Sequence, residues 1–147
     1  LVGSLVLFWM IDSQGIIGQI TDVGIFSSEC LLISDPGHDL PVEINRNGLR
    51  TILRGTGSYN ILNLPFLPNN ADVKKGDLLI TSGMGGVFPK GYPVAIIDSV
   101  EIIPQEPFAI VKAIPNANLN QVREVMLIGK TQSIQTDTSI INNRISE

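Results

Sequence analysis

The chain has 147 residues, of which 44% are hydrophobic and 16% charged, with a net charge of −4. That length suits one ordinary domain or two small barrels, and the composition excludes intrinsic disorder. An acidic balance without a basic block disfavours nucleic-acid binding, which needs a concentrated positive footprint. One cysteine, Cys30, excludes an intrachain disulfide and a thiolate-rich metal site.

The first apolar run, LVGSLVLFWMI, is 11 residues long and broken by Gly3 and Ser4. A membrane-spanning helix needs about 20 residues, and no basic n-region or Ala-x-Ala site marks a signal peptide. A strand over Leu5–Ile11 is expected instead. Asp12-Ser13-Gln14-Gly15 reads as a turn, and Ile16–Val23 as a strand in which Gly18 marks a bulge or a close backbone approach. Cys30–Ser34 reads as a short apolar strand with a buried, inert thiol, closed by the turn Asp35-Pro36-Gly37. The single histidine, His38, follows that turn and is expected to be exposed.

Leu40, Val42 and Ile44 alternate with Pro41, Glu43 and Asn45, which places the first set on a core face. Pro41 cannot donate to a ladder, so this strand is expected to start there or lie at an edge. Asn47-Gly48 before Leu49–Leu53 predicts a type I′ hairpin. Its flanking Arg46 and Arg50 read as solvated cations or a basic spot facing a partner. Gly55-Thr56-Gly57-Ser58 reads as a hinge between two lobes, followed by a strand over Asn60–Leu67. Asp72 and Asp77, beside Lys74 and Lys75, read as solvated loop charges.

The stretch Gly76–Val94, GDLLITSGMGGVFPKGYPV, concentrates glycine at positions 83, 85, 86 and 91. Backbone geometry therefore matters more there than side-chain chemistry. Val94, Ile96, Val100 and Ile102 are expected on one face of the next strand, with Asp98 breaking the pattern at a barrel mouth. Strands over Phe108–Ile114 and Glu124–Gly129 follow, with a turn or two of helical periodicity near Asn118–Val122 between them. The residues from Thr131 onward are unpatterned and read as a disordered tail. Strands every 8–12 residues or so, separated by turn signals, predict an all-β sandwich or barrel.

Catalytic chemistry fits poorly. Ser82 in SGMGG sits in no Gly-x-Ser-x-Gly elbow, and His38 is the only base of its kind. No Gly-Lys-Ser/Thr ending or following helix supports phosphate binding, and no ligand spacing supports a metal. Gly83, Gly85, Gly86 and Gly91 are therefore read as structural, shaping a barrel corner. Phe88 and Tyr92 read as buried plugs or, if exposed, as anchors for a partner protein.

The blocks IDSQGIIGQITDVG, LLISDPGHDLPVEINRNGLRTILRGTG, LPFLPNNADVKKGD, GDLLITSGMGGVFPKGYPVAIIDSV and EPFAIVKAIPNANLNQVREVMLI are similar to the MreC family of bacterial rod-shape-determining proteins. The resemblance covers roughly residues 10–129 and is closest to the proteobacterial branch. It implies two small β-barrels, remotely chymotrypsin-like in arrangement, at about residues 5–57 and 58–130. It implies no enzyme and no cofactor. It implies a scaffold that self-associates and links the MreB system, through MreD and RodA, to a penicillin-binding transpeptidase. The family's β-domains lie in the periplasm behind an inner-membrane helix and a coiled coil. Two departures stand out. The family's residues before the IDSQG block are missing or replaced by LVGSLVLFW, which predicts an incomplete first barrel with an exposed strand edge. Ala95 stands where the family more often has glycine. Candidate contact residues are Phe88, Lys90, Tyr92, Asn69 and Asn70.

Overall fold

The computed structural model describes residues 4–86, 88–122 and 124–133. Ten strands run in chain order: β1 (Ser4–Ile11), β2 (Ile16–Val23), β3 (Ser28–Leu32), β4 (Asp39–Ile44), β5 (Arg50–Gly55), β6 (Leu62–Asn63), β7 (Leu78–Thr81), β8 (Pro93–Glu101), β9 (Ile110–Pro115) and β10 (Met126–Ser133). They form an open four-stranded sheet, β10-β1-β2-β3, and a closed barrel, β4-β5-β6-β9-β8-β7. The fold is all-β, and among the described residues a single 3₁₀ turn at Met84–Gly86 is the one helical element.

The division between sheets departs from the expected one. β4 and β5 belong to the closed barrel, so the sheets part between Leu32 and Asp39 and not at residue 57. Gly55–Ser58 is accordingly a turn inside the barrel and no hinge, because β5 pairs directly with β6. The last strand leaves the barrel altogether: β10 pairs with β1 over its whole length, from Ser4↔Ser133 to Ile11↔Met126. Thr131–Ser133 thus belong to a strand, while the rest of the expected tail, and Val87, lie outside the described residues.

Local chemistry explains the elements. Asp12 Oδ1 accepts from the Gln14 and Gly15 amides and turns the chain between β1 and β2. Gly18 opposes Leu32 in a register where a Cβ would lie 2.4 Å from the Leu31 carbonyl oxygen. The Asn47-Gly48 hairpin forms, but not as type I′. Gly48 has φ 72°, and it stands alone in the loop in doing so, because four residues separate Ile44 from Leu49. Pro41 lies inside β4, which is flanked on both sides. The residue is tolerated because pairing with β7 begins only at Val42↔Thr81.

β6 is two residues long instead of the expected eight. Asn118–Val122 forms no helix. Along β8 the register shifts between Ile97 and Ser99, so Asp98 sits in a β-bulge. A second shift, opposite Leu79 and Ile80, makes Val94 an extra residue, so Val94 and Ala95 are both buried and, beyond them, Ile97 points inward and Ile96 outward, against the expected pairing of Ile96 with Val94 on one face. On β9 the inward set is Val111, Ala113 and Pro115, and the larger Ile110 and Ile114 face outward. A six-stranded barrel encloses too little width for isoleucine at every inward position, so alanine fills it.

One hydrophobic core joins both sheets, with Trp9, Ile16, Ile17 and Ile33 from the open-sheet side meeting Leu40, Leu53, Leu79 and Ile97 of the barrel. The bridge between sheets crosses β5 tightly. A Cβ on Gly55 would lie 2.1 Å from the Asp35 carbonyl oxygen, so nothing larger than glycine fits.

Candidate functional site

The loop between β7 and β8 is built from Thr81. Its buried hydroxyl donates to the Pro89 carbonyl and accepts the Tyr92 amide at 2.9 Å. Its backbone closes the same loop, through Thr81 N–H to the Tyr92 carbonyl at 2.9 Å and Gly91 N–H to the Thr81 carbonyl at 2.9 Å. The sequence carries a signal for this in Thr81, a threonine between an apolar strand and a Gly-rich reversal. Gly83, Gly85 and Gly91 supply left-handed backbone at φ 75°, 74° and 94°, and Gly86 completes the 3₁₀ turn.

Ser82 and His38 are not a catalytic pair. Ser82 is buried, and its Oγ accepts the Met84 amide at 3.2 Å as a local cap. His38 is also buried, against the expectation of an exposed ring, and meets Phe88 edge-on with centroids 5.7 Å apart. The Asp35 carbonyl holds its backbone amide at 2.9 Å, which tucks the residue under the connection between sheets. Among the described residues His38 Nδ1 has no hydrogen-bond partner. Burial lowers its pKa, opposed by the nearby Asp35 and Asp39 charges, so the imidazole is neutral at pH 7. Cys30 is half-buried rather than buried. Burial first and Asp35 second raise its pKa, leaving the thiol unreactive. No group of three His, Cys, Asp or Glu side chains suited to a metal occurs among the described residues.

The predicted contact residues fall into two places. Phe88 is 4% exposed and packs on Trp9 with centroids 5.5 Å apart, so it is a core plug and no surface anchor. Tyr92 is half-buried against the same core. Lys90 is exposed, with Nζ 3.9 Å from Glu43 Oε1 on β4. Asn69 lies elsewhere. Its Nδ2 donates to the Glu106 carbonyl and ties its loop to the β8–β9 connection, while Asn70 is exposed. In the ring order β4 stands across from β9, so these residues do not form one patch.

The charges at the opposite end of β7, beside the β4–β5 hairpin, are organised, not merely solvated. Arg46 Nε and Nη2 donate to the two Asp77 carboxylate oxygens at 3.0 Å each. Its Nη1 donates to Asp72 at 3.0 Å. Asp77 is buried and also accepts the Lys74 amide at 2.9 Å. Hydrogen bonds from Arg46 hold both carboxyls below the usual aspartate range. Arg50 pairs with Glu43 at 3.6 Å. Neither arginine is the free cation that the sequence suggested.

Exposed apolar side chains lie on the outer face of the barrel and at the tip between β2 and β3. Ile96 and Ile114 oppose each other across β8 and β9 and are both exposed. Phe66 and Phe108 meet edge-to-face at 6.4 Å, and the Arg54 guanidinium carbon lies 5.3 Å over the Phe66 ring. Ile25 and Phe26, at the tip joining β2 and β3, are 92% and 99% exposed.

Residues 6–142 match the family model of the rod shape-determining protein MreC, barrel core. The Haemophilus influenzae cell shape-determining protein MreC is 48% identical over 119 residues, covering 81% of this chain and 34% of that protein. The crystal structure of MreC from Pseudomonas aeruginosa superposes with a TM-score of 0.79 at 43% identity, over 82% of this chain and 78% of that one. A complex between penicillin-binding protein PBP2 and MreC from Helicobacter pylori shares the fold, with a TM-score of 0.65 at 23% identity, over 82% and 76%. The chain thus spans about a third of the length of the curated relative it matches.

Proposed function

Because the chain belongs to the MreC family of cell shape-determining proteins, we propose that it is a non-enzymatic scaffold domain that works by binding. Its partners are a penicillin-binding transpeptidase and further copies of itself, and through MreD and RodA it connects to the MreB system. Its place is the periplasmic face of the inner membrane. One observation carries the binding role: Ser82 and His38 are buried in packing, while Ile96, Ile110, Ile114, Phe66 and Phe108 face outward. An enzyme cleft shows the opposite arrangement, polar reactive groups in the open and apolar groups inside. A large apolar surface on a folded domain marks an interaction site.

We propose that the transpeptidase contact lies around Lys90, which is exposed, and Tyr92, which is half-buried, at the β7–β8 loop, with the Asn69-Asn70 loop as a separate candidate. The Helicobacter pylori MreC forms a complex with a penicillin-binding protein, which makes that class the first partner to test. The test is co-elution and biolayer interferometry between this protein and the periplasmic part of the elongation transpeptidase from the same organism. Saturable binding, weakened about tenfold or more by Lys90→Glu or Tyr92→Ala in a folded protein, is expected. No binding would remove the scaffold reading. Covalent labelling of Ser82 by a fluorophosphonate would restore the hydrolase alternative.

A further inference from the structure

The β2–β3 hairpin ends in Gly24-Ile25-Phe26-Ser27, closed by the Gly24 amide on the Ser27 carbonyl at 2.6 Å. Single exposed hydrophobes are ordinary, but two adjacent ones, free over nine-tenths of their surface at a hairpin tip, are not. Such a tip is convex, so its partner must be concave. The chain carries a matching groove on its barrel. β6 pairs with β9 only at Leu62↔Ala113 and Asn63↔Lys112, and the next bridge is Pro68↔Phe108. Between them Leu64 N–H donates to the Val111 carbonyl at 3.0 Å and Ala109 N–H to the Leu67 carbonyl at 2.9 Å, and Pro65-Phe66 make a turn that interrupts the strand pairing. The result is a groove of about 310 Å³ over Leu64, Pro65, Phe108, Ile110 and Lys112. The edge-to-face pair Phe66–Phe108 stands at its rim.

We propose that the Ile25–Phe26 tip of one copy docks into the Pro65–Phe108–Ile110 groove of a second copy. The contact rests on the self-association reading and gives it a geometry. Chemistry matches on both sides. Phe26 would join an existing aromatic pair, a favourable addition for a third ring. Exposed Glu29 lies three residues beyond Phe26, about 10 Å along the strand. Exposed Lys112 lines the groove and makes no ion pair among the described residues. A lipid surface suits the tip less well, since Glu29 beside it repels anionic headgroups. Tip and groove are different surfaces, so the contact is heterologous. It leaves a free tip at one end and a free groove at the other, and growth is open unless the rotation closes a ring.

The test is sedimentation of the full 147-residue chain from low to high micromolar concentration, for wild type, Phe26→Ser and Ile110→Glu. Both substitutions are at exposed sites, and circular dichroism checks the fold. Concentration-dependent species beyond the dimer are expected for wild type. Either variant alone should lose association on the order of thirtyfold, the scale of an interface hot spot. The decisive arm mixes the two variants. Phe26→Ser keeps a groove and Ile110→Glu keeps a tip, so the mixture should form a 1:1 heterodimer and stop. A mixture that stays monomeric, while wild type associates, would overturn the tip-in-groove contact and leave self-association standing. A wild type monomeric throughout would overturn both. A Phe26→Ser protein that assembles like wild type but no longer binds phosphatidylethanolamine–phosphatidylglycerol vesicles, or the transpeptidase, would also overturn it and assign the tip to that surface.

Discussion

Trp9 on the open sheet and Phe88 in the barrel's β7–β8 loop meet ring against ring, with centroids 5.5 Å apart at an interplanar angle of 52°. Their contact is where the two sheets share one core. Phe88→Ala is expected to destabilise the protein by about 3–5 kcal/mol, the range for a buried aromatic truncation. Trp9 is the only tryptophan, so its fluorescence reports the same contact. Urea unfolding followed at Trp9 should show a lower midpoint and a red-shifted native spectrum. A native spectrum like that of wild type would separate the two rings energetically.

His38 makes stability depend on pH. Its folded pKa is lowered by burial, with Asp35 and Asp39 opposing and Phe88 covering the ring edge. The unfolded chain titrates near pH 6.5, so below that pH it binds more protons than the folded state. Stability should therefore hold above about pH 7 and fall as pH drops through 6.5 toward the folded value. His38→Gln should flatten that window in thermal melts between pH 7.5 and 5. An unchanged slope in the variant would assign the dependence to other groups.

Arg46 pins the 72–77 loop to the β4–β5 hairpin through two carboxylates. The Asp77 pKa is depressed first by its hydrogen bond from Arg46. Its contribution is present above the unfolded aspartate value near 3.9 and is lost as pH falls through the folded value. Arg46→Gln should move the onset of acid unfolding to higher pH and speed hydrogen exchange at the Lys74 and Asp77 amides. Slow exchange retained at both amides would show that the loop holds itself.

Two glycines separate sterics from backbone strain. Gly55→Ala forces a Cβ against the Asp35 backbone, where no side chain can yield, and should cost about 3 kcal/mol or more. Gly48→Ala meets nothing within 4 Å and pays only for φ 72°, about 1 kcal/mol. Chemical denaturation of both variants gives the comparison. Equal costs would contradict the close crossing at Gly55.

The strands themselves were legible in the sequence because a period of two and clear turn residues are local signals. Ile16–Val23 was bounded as observed, and the glycine-rich corner was read as backbone geometry. Register was not local. One extra residue at Val94, opposite Leu79 and Ile80, exchanged the two faces of β8 from Ala95 onward, which put Ile96 outside and Ala95 inside. Barrel width likewise decided that Ala113 and not Ile114 faces inward, and so created the outer apolar surface. Turn composition marked the loops that carry Phe88, Lys90, Tyr92, Asn69 and Asn70 but said nothing of which side of a closed ring each occupies, nor that Phe88 is enclosed.

By itself, the sequence determined the all-β class, the family likeness and the want of a base beside Ser82, since each depends on residues near one another or on overall composition. Only the tertiary structure decided that β10 returns to β1, that β4 and β5 join the barrel, and that His38 is enclosed. These depend on contacts between residues far apart in the chain, and the free energy of such contacts comes from burial that no short window of sequence contains.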